Sequence, residues 1–281
     1  MLASRHSRHT LLLIAAFAAA PLSAHAQGKL DASYTVTLAG IPIGKGEWTI
    51  EISDSHYSAS ATGAATGLMR VLTSAHGATN ATGTFVDGQL VASTYFSTIT
   101  NYKKTDSVRL VVSGGDVKEA KIDPPQDNDP ARVPLTDAAQ KGIIDPMSAS
   151  LLRTPGNGDP VASEACQRAL PVFDGRIRYD LQLAFKRMEL VKADKGYAGP
   201  VVVCAVSFTP MAGYIPSRAT IRYISKTRDI EVWLAPIAGT RMLVPFRAQG
   251  PTPIGPVIFE AEKFVATPMP SRASINGSKI Q

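Results

Sequence analysis

The sequence predicts a mainly β protein, a long antiparallel meander curled into a barrel-like or spiral sheet with one short helix. Two observations carry this. Apolar residues recur at every second position, as in Leu30, Ala32, Tyr34, Val36 and Leu38 against Asp31, Ser33, Thr35 and Thr37, the spacing of a strand with one face in a core. Turn pairs Asp87-Gly88, Gly114-Gly115 and Asp174-Gly175 fall between such segments, and each tolerates the positive φ of a tight hairpin.

Before the strands comes a leader. Arg5 and Arg8 give a basic start, Leu11 to Ala20 is unbroken apolar, and Ala24-His25-Ala26 offers small residues for cleavage. This predicts a signal peptide over 1–26, cut after Ala26, and a periplasmic destination. The apolar run is about half of what a membrane span needs, and no later stretch is longer, so the chain is read as not membrane-spanning. No Cys follows the run as a lipid-anchor site. The chain carries a formal net charge of +6, and loss of Arg5 and Arg8 leaves it mildly basic. Its Lys and Arg are dispersed, which excludes a nucleic-acid surface.

The first strands pass through Leu30–Leu38 and, after a turn at Gly40 to Gly44, through Trp48, Ile50 and Ile52. Gly67 to Leu72 is an apolar patch bounded by Gly67 and Ser74, read as a short helix or loop plugging the barrel end. Asp123 to Pro134, rich in Pro and Asp, suits an irregular connector; Asp127-Asn128-Asp129 lacks the glycine and terminal glutamate of a calcium loop. Asp145 then caps a helix starting at Pro146 and continuing through Met147 to Leu152, the principal helix expected.

Ile177, Tyr179, Leu181, Leu183 and Phe185 alternate with Arg178, Asp180, Gln182 and Lys186. Parity therefore places Trp48, Tyr179, Leu181, Leu183 and Phe185 inward, with Met147, Leu151 and Leu152 packed on that face. Further on, Arg218 to Ser225 and Asp229 to Leu234 read as two strands, Gly239 as a turn, and Arg241 to Arg247 as a strand whose Pro245 belongs at an edge or bulge. The single domain is expected over 27–266, with a disordered tail at 267–281.

Cys166 and Cys204 are the only cysteines. An even pair in an exported chain reads as a disulfide, worth about 4 kcal/mol in the chain-entropy model. The Cys-x-x-Cys spacing of a redox pair and the clustered ligands of a metal site are missing. After leader removal the histidines are His56 and His76, neither beside a nucleophile motif, and there is no Gly-x-Ser-x-Gly elbow or phosphate loop. No catalytic residue, metal or cofactor is therefore assigned. The candidate cavity lining or rim is Trp48, Tyr179, Phe185, Trp233, Arg241 and Arg247.

"YTVTLAGIPIGKGEW", "IIDPMSASLL", "FDGRIRYDLQL" and "RYISKTRDIEVWLAPIAGTRMLVPFRA" occur in that order. Together they resemble the exported bacterial domain-of-unknown-function family 3108, in its alphaproteobacterial form, over roughly Leu30 to Val265. The resemblance implies an envelope protein and assigns no reaction. A looser likeness, of fold alone, is to the lipoprotein-carrier half-barrels and to a cell-envelope-integrity family with a β-spiral. Three function classes remain. The first is a non-enzymatic envelope protein binding a lipid, glycan or polypeptide segment and supporting envelope integrity, with an envelope protein or a lipid as candidate partner. The second is a lipid or lipoprotein carrier, and the third a hydrolase with an unrecognised site. The lining of the concave face decides among them.

Overall fold

The computed structural model describes residues 27–102 and 104–269. The expected signal peptide, and the expected tail from 270 onward, lie outside the described residues. The first half contains β1 Gly28–Leu38, β2 Ile41–Ile52, β3 His56–Ala65, helix α1 Gly67–Thr73, β4 His76–Val86, β5 Gln89–Asn101, β6 Lys104–Ser113 and β7 Asp116–Asp123. After the connector come α2 Pro146–Ala149, β8 Leu152–Arg153, β9 Arg168–Phe173, β10 Arg178–Lys192, β11 Lys195–Gly196 and β12 Ala198–Ala212. Helix α3 Ala219–Lys226, β13 Ile230–Pro236, β14 Met242–Thr252 and β15 Gly255–Pro268 complete the chain. β15 runs past the expected domain boundary at 266.

These strands form one 15-stranded sheet in the order β7-β6-β5-β4-β3-β2-β1-β15-β14-β13-β12-β10-β9, with β8 on β14 and β11 on β15 as side pairings. Apart from the short parallel β11–β15 contact, neighbours are antiparallel. The sheet is curled, not closed. Its two ends, β7 and β9, are bridged by the connector: Ile143 N–H donates to the Gly115 carbonyl at 2.7 Å, and Ile144 pairs with Val172 of β9. Arg176 adds a 3.0 Å bond to the Pro124 carbonyl and a 3.3 Å ion pair with Asp106. On β9, Ile144 N–H donates to the Pro171 carbonyl and Phe173 N–H to the Ile144 carbonyl, which covers part of that edge.

One face of the curl holds the main core, built on Leu30, Tyr34, Trp48, Ile50, Tyr57, Leu110, Phe173, Phe246 and Phe264. Met147 and Leu151 pack into it from the α2 segment. Asp145 caps α2 by accepting from Ser148 N–H at 2.9 Å, as its sequence predicts. The opposite face of β10, β12, β13 and β14 holds a second cluster of Leu152, Val161, Ala165, Cys166, Leu183, Val202, Cys204, Leu234 and Leu243. In β12, Val201 and Val203 belong to the first cluster while Val202 and Cys204 belong to the second. That is why this run lacks a polar alternate: both faces are covered. Cys166 is bonded to Cys204 with Cα atoms 5.4 Å apart, pinning the segment 152–166 over that outer face.

Three expectations are corrected. The α-helices among the described residues are α1, α2 and α3 rather than one, with short 3-10 turns at Asp137–Gln140 and Ser163–Cys166, and α2 stops at Ala149 because Leu152 is drawn into pairing with Leu243. Residues Arg218 to Ser225 are not a strand. β12 is already bonded to β10 on one side and β13 on the other, so the segment has no free edge to join and satisfies its backbone as α3 instead. The set expected inward on β10 also lies elsewhere. Leu183 is buried in the second cluster with Leu152, not beside Trp48, and Leu181 packs there too. Phe185 sits at a register shift against β12 and is 44% exposed, and Tyr179 is half-buried with its ring 5.1 Å from Phe208. From Tyr179 to Phe185 the register is unbroken, so these residues share one face as parity requires, but it is the outer face; the bulge comes after Phe185 and turns Arg187 toward Trp233 instead.

Candidate functional site

Strand pairing stacks the inward residues of β1 to β6 into rows across the curl. One row is Leu30, Ile50, Ala59, Ala81, Tyr95 and Leu110. The next is Ala32, Trp48, Ala61, Thr79, Ser97 and Val108. The row beyond it is Tyr34, Gly46, Gly63, Gly77 and Ile99. Side-chain bulk thus falls away along the same concave face. Where the rows are large, the core is packed; where they are glycine and alanine, a groove of about 600 Å³ opens.

The groove floor is Gly44, Ala61, Gly63, Ala65, Ala75 and Gly77, and its walls are Val36, Ile43, Met69 and Ile99. Met69 and Thr73 come from α1, so this segment is a short helix bordering the groove, but Val71 and Leu72, 78% and 53% exposed, turn away from it rather than plug the sheet end. A second pocket of about 310 Å³, lined by Tyr34, Trp48, Tyr95, Met147 and Phe259, shares Ala61, Thr62 and Thr79 with the groove. The two form a path from the sheet end toward the core. Tyr34 closes its inner end: its ring stacks on Phe259 at 4.2 Å, and its hydroxyl donates to the Pro245 carbonyl at 2.9 Å. Burial pushes the Tyr34 phenol well above its ordinary range. Trp48 Nε1 is buried and has no hydrogen-bond partner among the described residues.

The glycines of the row are not equivalent. A Cβ on Gly46 would stand 2.9 Å from the Thr62 carbonyl oxygen, and one on Gly77 2.7 Å from that of Thr98; close backbone approach requires glycine at both. On Gly63 the nearest atom would be the Lys45 carbonyl oxygen at 3.6 Å, an ordinary contact. Nothing in the strand demands glycine there, and glycine in a strand interior costs stability. What its absent side chain leaves is space in the groove.

The candidate residues from sequence do not form one rim. Trp48 lines the inner pocket, while Tyr179 and Phe185 lie away from it as described. Arg241 is a clamp: its guanidinium donates to the carbonyls of Thr154, Pro155 and Gly158 at 3.0, 2.8 and 2.6 Å. It tethers the first loop of the outer cover and borders a separate cleft with Arg153 and Asp54. Trp233 is buried between two guanidinium groups, Arg187 at 5.4 Å and Arg247 at 4.9 Å from its ring centre. Its Nε1 donates to Glu189 at 2.6 Å. Arg187 also donates to Glu231 at 3.0 Å, and Lys186 pairs with the same carboxylate. The Trp233 hydrogen bond and Arg187 hold Glu189 below the usual carboxylate range; Arg187, then Lys186, do the same for Glu231. These groups satisfy one another and tie β10, β13 and β14 together.

His56 and His76 are exposed at strand starts; His56 Nδ1 contacts Ser55 Oγ at 2.6 Å, and His76, which borders the groove, lies 3.3 Å from the Ser74 carbonyl. Among the described residues no group of His, Cys, Asp and Glu is arranged to hold a metal ion, and no helix is long and apolar enough to cross a membrane. The groove itself was open to reading in the sequence, in the alternate small residues Ala59-x-Ala61-x-Gly63-x-Ala65 and Ala75-x-Gly77, but aromatic residues gave the more conspicuous signal.

Residues 33–262 match the family described as "Protein of unknown function (DUF3108)", and the chain belongs to that family. Comparison with curated proteins finds no match. Among solved structures, the chain is similar to the beta-barrel-like protein of domain of unknown function DUF1849 from Brucella abortus, at 12% identity and a TM-score of 0.47, covering 86% of this chain and 98% of that one.

Proposed function

We propose that this DUF3108 member is an exported, non-enzymatic envelope protein that holds an acyl chain of a lipid in the groove on its curled sheet. The observation that carries the reading is Gly63. A strand position free to take a side chain is left without one, at the centre of an apolar floor where packing would otherwise continue. The groove volume lies within the usual range of ligand clefts, about 300–1,000 Å³. Its lining is mostly Gly, Ala, Val, Ile and Met, with Thr, Ser, Lys45, His76 and Asn101 as the polar minority, which favours a hydrocarbon over a glycan, whose hydroxyls would lose water without gaining enough partners. The basic, small-residue leader and the Cys166–Cys204 bond support a periplasmic setting, where disulfides persist.

The test fills the groove. Gly63→Leu places its Cβ in ordinary contact and sends the branched side chain into the void. Native mass spectrometry of the parent, purified from its own envelope, is expected to show a retained lipid; Gly63→Leu of unchanged circular dichroism is expected to lose it. A parent with no lipid, or a variant that retains it equally, rejects the reading.

A further inference from the structure

The groove opens at one end of the sheet, and that end carries an unusual surface. The β1–β2 and β14–β15 turns meet there, since Ala39 N–H donates to the Pro256 carbonyl at 2.9 Å. Helix α1 joins them through Thr66 N–H and the Ile43 carbonyl at 3.0 Å, and the β5–β6 turn joins α1 through Tyr102 N–H and the Thr73 carbonyl at 3.3 Å. Along this hydrogen-bonded row of tips the exposed side chains are Ile254, Ile41, Val71, Leu72 and Tyr102, at 72%, 64%, 78%, 53% and 64% exposure. Large apolar side chains this exposed, on successive tips of one end, mark a surface that meets something apolar.

The acids near them, Asp106 and Asp127, are paired with Arg176 and Arg132, whereas several cations are not paired. Arg70 lies on α1 and Lys104 begins β6. Helix α3 precedes Ile230, which lies against Gly250 near the β14–β15 turn, and so leaves the sheet at the same end. It and its flanks bring Arg218, Arg222, Lys226 and Arg228, against the single acid Asp229. None of these basic side chains forms an ion pair among the described residues. Apolar tips flanked by unpaired cations match the interface of an anionic bilayer, where hydrocarbon inserts at the acyl boundary and Lys and Arg meet headgroup phosphates.

We infer that this end docks on an anionic phospholipid surface, setting the groove mouth against the membrane. The inference rests on the tips and their charge, and stands whether or not the groove holds a lipid. Its test is flotation of the full mature chain with vesicles of phosphatidylglycerol and phosphatidylethanolamine, or of phosphatidylcholine alone. The parent is expected to bind the anionic vesicles, to bind the neutral ones more weakly, and to release as salt rises. The double variant Val71→Asp, Ile254→Asp should weaken anionic binding by about tenfold or more, and both positions are exposed enough to leave the fold unchanged. Arg222→Gln with Lys226→Gln should weaken it less and flatten the salt dependence. Gly63→Leu should bind vesicles like the parent, which separates this inference from the groove reading. Absence of vesicle binding by the parent, equal binding to both vesicle types, or binding indifferent to the tip substitutions overturns the inference; the last would leave these tips to an envelope protein instead.

Discussion

Replacing Cys166 and Cys204 together by Ala tests how the outer cover is held. The bridge spans 38 residues of chain, and closing a loop of that size removes about 13 cal/mol/K from the unfolded ensemble, or about 4 kcal/mol near room temperature. The native contacts of the cover change little, because Ala165, Val161 and Leu152 remain against Leu183, Val202, Leu234 and Leu243. The loss should therefore be close to the entropic figure. Urea unfolding followed by Trp fluorescence measures it, since Trp48 and Trp233 are both buried in the inner cluster, across the sheet from the bridge. With a slope of about 3 kcal/mol/M, at the upper end for urea and fitting a chain of this size, the midpoint should fall by more than about 1 M. A double variant within about 1 kcal/mol of the parent would refute the reasoning, because the bridge would then not constrain the chain that unfolds.

The uneven cover of β10 predicts that Leu183→Ala costs roughly 2–5 kcal/mol while the 44% exposed Phe185 loses clearly less on change to Ala; equal losses in chemical denaturation would return Phe185 to a core. Asp145 is wholly buried, and burial raises its carboxyl above the ordinary value despite the Ser148 hydrogen bonds that oppose the shift. A raised carboxyl contributes stability that is full below the unfolded value of 3.8 and is lost as pH rises through the folded one. Asp145→Asn keeps the capping oxygen and removes the charge, so its stability relative to the parent should improve between about pH 3.5 and pH 7; thermal unfolding across that range showing the opposite trend would mean the carboxylate is better solvated than its burial implies.

Much of the architecture was legible because period-two alternation is a local property. Leu30 to Tyr34 and Trp48 to Ile52 enter the core where parity places them, and Asp145-Pro146 starts a helix by local capping chemistry. What was not legible depends on neighbours distant in sequence. Whether Arg218 to Ser225 pairs as a strand is settled by β10 and β13 having taken both edges of β12. That Leu181 and Leu183 pack away from Trp48 is settled by a cover that starts at Leu152, and the bulge after Phe185 is what sends Arg187 to Trp233. Among the candidate site residues, Trp48 alone borders the inner pocket. Arg241, Trp233 and Arg247 carry the residue types of a binding rim, but their partners, three carbonyls in one case and two glutamates in the other, come from elsewhere in the chain.

The outer cover also explains how the sheet tolerates an unfilled groove. A curled sheet with one buried face must pack that face to be stable, and an open groove there forfeits burial. Here the middles of β12, β13 and β14 are covered on both faces, and the disulfide holds the second layer in place. Stability is thereby concentrated in the second half of the chain, on Val201 to Cys204, Trp233 to Ala235 and Met242 to Phe246, which are buried except for the half-buried Pro245. The first half can then present Gly44, Ala61, Gly63 and Ala65 along β2 and β3 without side chains to fill the space above them. On this view the doubly covered half acts as the anchor and the glycine row is the working surface. Stabilising the anchor should not alter the groove, whereas a side chain at Gly63 should change what the groove admits while adding strand stability.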